Sequence, residues 1–420
     1  MPRNIWIVIL IFFVFFIISF LTNILGPIIP DIIDSFKLSI GFAGFLPFAF
    51  FIAYGIMSIP AGILLEKYSA KPLMLAAFFM AFGGAFMFAL FPTFTVAMFS
   101  LFSIGIGMAI LQVVINPLLR QAGGEEHFAF NSVLAQLFFG AASFISPLLY
   151  SYLVQNLHSS NTSAPIELFN TLVSPDLKWV SLYWVFAATA LVAAIIIQLV
   201  KFPKVELKED EKIDTGAAFK DLLGNRIVLL FFLGIFSYVG TEQGVANWTS
   251  KFLQTYHSVD PSTTGATVIS YFWGLLTIGC LLGLVLLKLL DSRTVLVIFS
   301  GGAILSLAAA LFGPTQVALL AFPLTGFFAS VMWSIIVSLA LNSVRQHHGT
   351  FAGILCTGIA GGAVVPLIVG GIAELTGLKV AMLFLFIPLG YIFSIGIWAR
   401  PLIKNATIKH FSELFKPSQV

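Results

Sequence analysis

Glu242 is the one acidic residue of this chain that stands near the middle of a long apolar stretch; the other acids lie in polar breaks or near the ends of apolar segments. Thr241 and Gln243 flank it, Asn247 follows one helical turn beyond Gln243, and Gly240 and Gly244 weaken a helix at that point. A carboxylate so placed could take a proton, bind sodium, or accept hydrogen bonds from the hydroxyls of a polar solute. The structural alternative is a buried acid that braces a bond between helices. Amides elsewhere offer hydrogen bonding without charge. Asn23 precedes Gly26, Pro27 and Pro30; Gln112 and Asn116 are four apart and so share a helix face; Asn131 and Gln136 lie in the next apolar segment. A single amide can be packing glue as readily as a ligand contact, but their grouping predicts a shared cavity. Among the aromatics Tyr238, Trp248, Tyr271, Trp273 and Trp333, the two tryptophans Trp273 and Trp333 are taken as ligand contacts.

The elements that must carry these residues follow from composition. Hydrophobic residues make up 59% of the 420, charged residues only 9%, and mean hydropathy is +1.03. A soluble chain carries about 25% charged residues. Apolar stretches of roughly 20 residues recur from end to end, each long enough to cross a bilayer core. Twelve spans are predicted, over 5–30, 41–65, 73–91, 94–119, 128–155, 178–200, 227–255, 262–289, 294–312, 315–342, 350–376 and 378–403. The first is too long for a signal-peptide core and lacks a small-residue cleavage site, so it is read as a retained helix. With the N-terminus cytoplasmic, 17 of the 21 Lys and Arg residues fall inside, and Lys37, Lys178, Lys251 and Lys379 fall outside. That bias fixes an expected topology with both ends cytoplasmic.

The segment 201–226 mixes Lys with Glu206, Glu209, Asp210 and Glu211 and reads as a solvated linker. It divides a bundle over 1–200 from a second over 227–403, with a cytoplasmic tail over 404–420. The halves echo each other: Ala141 to Leu148 (AASFISPL) against Ala360 to Leu367 (AGGAVVPL), Thr22-Asn23 against Thr241-Glu242, and Arg120-Gln121 against Arg345-Gln346. Together these fit two six-helix pseudo-repeats in an all-α membrane protein. Cys280 and Cys356 lie in apolar segments without pairing or metal spacing and read as small core residues.

Gly62-Ile63-Leu64-Leu65-Glu66-Lys67-Tyr68-Ser69-Ala70-Lys71, after the second span, resembles the loop signature of the major facilitator superfamily. There a glycine, an acid–base pair and a further base lock the cytoplasmic face. The resemblance makes Gly62, Glu66, Lys67 and Lys71 a cytoplasmic gate, with Glu66 where the family usually has Asp. More specifically, Leu21 to Pro27 (LTNILGP), Pro60 to Leu64 (PAGIL), Gln112 to Pro117 (QVVINP), Ala135-Gln136, Tyr238-Val239-Gly240, Phe272-Trp273-Gly274 and Gly361 to Pro366 (GGAVVP) resemble the fucose permease branch, the fucose–glucose/galactose symporters. That branch implies the major facilitator fold and uptake of a neutral monosaccharide by alternating access. Proton-coupled members carry carboxylates where this chain has Asn23 and Gln112, and an amide cannot exchange a proton at physiological pH. Asn116 and Gln136 match the branch and keep its sugar-contact expectation. Coupling is left to Glu242 by proton or sodium, or is absent.

The predicted substrate set is therefore Asn23, Gln112, Asn116, Gln136, Gln243, Asn247, Trp273 and Trp333, with Glu242 as the coupling residue. No cofactor is expected beyond a coupling Na+ or H+. The expected partners are a sugar and membrane lipid, without nucleic acid, and the chain is expected to be a monomer in a bacterial inner membrane. Export of a small amphipathic compound is the alternative; a membrane sensor is disfavoured by the short linker and tail. An enzyme is not expected: His347-His348 lack metal-ligand partners at suitable spacing, and no Gly-Lys phosphate loop is present. The sequon Asn161-Thr162-Ser163 is read as a chance match.

Overall fold

Without water in the bilayer core, a spanning chain must satisfy its backbone groups internally, and an apolar run without β-alternation does so as a helix. The computed structural model describes residues 4–124, 127–159, 163–202, 216–344 and 347–402. Most of the acidic–basic linker, Arg345-Gln346, Asn161-Thr162 and the tail after 402 lie outside the described residues. Among the described residues the fold is all-α, with twelve helices long and apolar enough to cross a membrane. They are α1 (Ile5–Phe36), α2 (Ile40–Lys67), α3 (Ala70–Leu90), α4 (Phe94–Gly123), α5 (Asn131–Asn156), α6 (Pro175–Leu199), α7 (Arg226–His257), α8 (Pro261–Leu289), α9 (Ser292–Phe312), α10 (Thr315–Leu341), α11 (Gly349–Thr376) and α12 (Leu378–Trp398).

The predicted spans are all present, though their ends shift by up to six residues: α4 runs to Gly123, α12 stops at Trp398, and two further differences lie in the ends and connections. First, α1 runs six residues past the expected end at residue 30, because Asp31 is not left to solvent: its carboxylate accepts from the Tyr150 hydroxyl of α5. Second, two short helices, Ala164–Leu172 and Ala217–Gly224, stand where only connections were expected.

Asn4 donates its backbone N–H to Ala122 at the end of α4, and Leu402 donates to Asn342 past the end of α10. These mark one end of the bundle, called here the terminal face. At this face the Lys71 ammonium donates to the carbonyls of Gln198 (2.6 Å) and Val200 (2.9 Å), capping the negative end of α6. Lys67 lies over the Tyr68 ring at 5.4 Å, and Gly62 is buried.

Helix α1 is broken. Its inner segment Ile5–Thr22 packs on α4 and α5, whereas its outer segment Leu25–Phe36 packs on α7 and the start of α8. Pro27 explains the break at Asn23–Ile24, since it has no N–H to pair with the Asn23 carbonyl four residues earlier. The outer segment closes the opposite face of the bundle. Gly26 sits so tightly on α7 that a Cβ there would run into the Ala246 carbonyl. On the same face the Trp248 indole donates to the Pro366 carbonyl of α11 (3.0 Å), and the Glu374 carboxylate accepts from the Gly41 N–H of α2 (3.0 Å). Gly26→Val should therefore hold the opposite face open. A cysteine introduced at the buried Ile29 is expected to react with a membrane-impermeant maleimide about tenfold faster in that variant than in a Gly26 background.

Candidate functional site

Between the helices lies a cavity of about 430 Å³. Its walls run from Gln243 and Trp273 at mid-depth to Leu287 and Ser132, close to the terminal-face ends of α8 and α5. No lining residue comes from the outer segment of α1 or the outer ends of α7 and α11, so the cavity is sealed towards the opposite face.

Seven of the residues expected to meet a ligand or a coupling cation line it: Asn23, Gln112, Gln136, Gln243, Trp273, Trp333 and Glu242. Two do not. Asn116 is exposed one turn nearer the terminal face, its amide 3.4 Å from the Gln112 carbonyl. Asn247 is buried in the sealed seam above the cavity. Asn131 is turned towards Gly123 at the end of α4 rather than inward. The Lys71 contact with α6 stays within the first six helices.

The break in α1 puts Asn23 where three helices meet. Its amide donates to the Ser143 hydroxyl of α5 at 2.9 Å and lies 3.4 Å from that of Ser19. Its carbonyl oxygen accepts from Gln243 of α7 at 3.4 Å. The Ser19 and Ser143 hydroxyls also bond each other. Opposite, Glu242 accepts from the Tyr238 hydroxyl at 2.6 Å, one turn earlier on α7, and the Tyr238 ring lies 6.2 Å from that of Trp333. Gln112 and Gln136 make no side-chain hydrogen bond among the described residues, which leaves both amides available. Cys280 lines the same wall, and its thiol donates to the Ser330 carbonyl at 3.2 Å.

Ser330 and Val331 interrupt α10 between Ala329 and Met332. The break seats on α8 where Gly279 and Gly283 leave a groove; a Cβ at either would collide with Ser330 or Val331. This is the small-xxx-small packing through which membrane helices approach closely. The Trp273 indole N–H is buried and has no partner among the described residues. An unpaired buried donor costs roughly 1–3 kcal/mol, so a cavity-wall tryptophan in this condition is poised for an acceptor. Ser19, Ser143, Thr277, Cys280 and Ser330 were not anticipated from sequence. Small hydroxyls and thiols in apolar helices are common and mostly bond their own backbone. The one available signal was Ser19, a single turn before Asn23 on the same face.

The sequence pattern of the Major Facilitator Superfamily matches residues 11–366. The chain belongs to the Major Facilitator Superfamily. Within it, the glucose/galactose transporter of Brucella abortus is 30% identical over 394 residues, 91% of each chain. The L-fucose-proton symporter of Escherichia coli is 26% identical over 378 residues, 86% of each chain. The crystal structure of the E. coli fucose–proton symporter in the outward conformation superposes with a TM-score of 0.66 at 23% identity, covering 94% of this chain and 98% of that one. A bacterial homologue of the human lysosomal transporter Spinster, inward-facing and unoccupied, gives 0.75 at 14% identity over 94% and 97%. At these identities the structures establish a shared fold. The superfamily is one of transporters, and this chain is not an enzyme.

Trp273→Phe keeps an aromatic ring but deletes the unpaired N–H and part of the indole's bulk. It should weaken ligand binding by about three- to tenfold, measured by equilibrium dialysis on protein whose folding is checked by its thermal midpoint.

Proposed function

We propose that the protein takes up a neutral monosaccharide by alternating access, with a cation coupled through Glu242. The observation that carries this reading is the composition of the cavity wall. One carboxylate, amides from both halves and two tryptophans meet there, and no Lys, Arg or His is among the lining residues. An anionic or phosphorylated substrate would face Glu242 with no cation to pair it. A polyol suits the same wall: its hydroxyls can donate to Glu242 and accept from the Gln112 and Gln136 amides and the Trp273 N–H, while its C–H face rests on an indole ring. The volume is within the range of small-molecule sites. The named relatives, a glucose/galactose transporter and a fucose–proton symporter, point the same way.

In this reading residues 1–200 and 227–403 are the two rocking units, joined by 201–226. The terminal face is cytoplasmic by its excess of Lys and Arg, the membrane is a bacterial inner membrane, and the chain acts as a monomer. The cavity then faces the cytoplasm, where an incoming sugar is released. Gly62, Glu66, Lys67 and Lys71 are the cytoplasmic gate in the state that opens outward. Asn116 meets the sugar on the cytoplasmic exit path. Coupling follows from desolvation: an ionised Glu242 cannot be enclosed without a compensating charge, so a proton or sodium ion must neutralise it before the cavity is occluded.

Purified protein in liposomes, given radiolabelled glucose, galactose, fucose and mannose under separate proton and sodium gradients, tests both parts. One of the four sugars should accumulate, and Glu242→Gln should abolish accumulation while sparing counterflow exchange. Gradient-driven accumulation by that variant would overturn the coupling; no carriage of any of the four would overturn the sugar assignment. Independently, in a Cys356→Ala background the transported sugar should slow N-ethylmaleimide alkylation of Cys280, which lines the cavity.

A further inference from the structure

Several buried hydroxyls in these helices bond the carbonyl four residues earlier, among them Thr22, Ser58, Thr241, Thr249, Ser300 and Thr325. One stripe on α7 departs from that pattern. Gln243, Asn247 and Ser250 are spaced i, i+4, i+7 and so share one face of the helix. All three are at most 3% exposed. Gln243 reaches Asn23 across the seam, but among the described residues the Asn247 amide nitrogen and the Ser250 hydroxyl, which lies against Gly265 at the start of α8, have no partner. The surface that covers Asn247 is the outer segment of α1, where Gly26 lies against Ala246 and Asn247. That segment brings Leu25, Ile28, Ile29, Ile32 and Ile33 to the packed interior, none able to accept a hydrogen bond from a side chain. A stripe built for packing would be apolar or paired.

We infer that Gln243, Asn247 and Ser250 line the outer half of the translocation path, and that Asn247 is a sided binding residue that meets the substrate only when the opposite face is open. In the sealed state the stripe is collapsed, and its orphan amide disfavours the seal. In the open state the outer segment of α1 leaves α7, the amide is wetted, and a ligand hydroxyl can accept from it before passing one turn inward to Gln243. The residue thus sets affinity on the outer side and biases which face is closed, without touching the ligand from the inner side. The ligand here is the sugar of the proposed function, and that part of the inference rests on that reading.

Asn247→Leu, which keeps the branching and heavy-atom count of the side chain and removes its polar atoms, separates these roles. In liposomes of determined orientation, the half-saturation constant for external sugar should rise about five- to tenfold, and that for internal sugar should stay within about twofold. Ser250→Ala should produce a smaller shift of the same sidedness. Equal change on both sides, or none, overturns the inference. A second readout needs no sugar. In a Cys356→Ala background, Asn247→Leu should speed alkylation of Cys280 by a cytoplasmic-side maleimide about threefold or more, because the sealed state is favoured once the orphan amide is gone. An unchanged rate overturns the inference even if the wild type carries none of the sugars tried; a faster rate with no sugar carried upholds the collapsed stripe and overturns the sugar reading instead.

Discussion

Hydrocarbon offers no partner to a backbone N–H or carbonyl, so a chain that crosses it must complete its hydrogen bonds inside helices. Where a span departs from that rule, the freed groups need protein or a water-filled space beside them. Helix α1 breaks at Asn23–Ile24, α10 at Ser330–Val331, and α11 tightens to a 3₁₀ turn over Gly358–Ala360. Asn23, Ser330, Val331 and Ile359 all line the cavity. These three interruptions coincide with the site, where freed backbone groups have protein or a polar space beside them.

The break in α1 has a second consequence. One helix is split between two sets of neighbours, its inner segment held by α4 and α5 and its outer segment by α7 and α8. Asn23 stands at the joint and bonds both ways, donating to Ser143 and accepting from Gln243. An ionised aspartate at this position could only accept. The amide therefore makes a neutral bridge across the seam, and the charge at this depth is left to Glu242 alone. Tyr238 occupies one oxygen of that carboxylate, and its ring holds Trp333 against the same wall.

Much of this was legible from residue types. Twelve spans follow from hydropathy because the period of the signal is the thickness of the bilayer, a length far above the uncertainty of any helix end. Glu242 was legible because a deep carboxylate has few structural uses. The amides were harder. Gln112, Gln136 and Gln243 line the cavity, but Asn116, on the same helical face as Gln112, lies outside it, since one turn displaces a side chain by 5.4 Å along the axis. Spacing alone places a residue on a face and says nothing of where the cavity ends. Ser330 was illegible for another reason: no proline marks the break in α10, which is seated by Gly279 and Gly283 of a different helix. Such a cause lies in tertiary packing and leaves no local trace.

The sealed face is also where the energetics of the cycle can be read. Its closure rests on contacts too tight for any side chain at Gly26, and on the Trp248 and Glu374 hydrogen bonds. Burial of Leu25, Ile28, Ile29 and Ile32 of the outer segment of α1 favours the seal further. Against it stand the groups of Asn247 and Ser250 that have no partner among the described residues, at roughly 1–3 kcal/mol each. They lower the cost of opening the seam. A fully apolar α7 face would lock this state, and a fully paired one would remove the incentive to open. Leaving the stripe polar and unpaired reduces the difference between states that ligand binding must overcome.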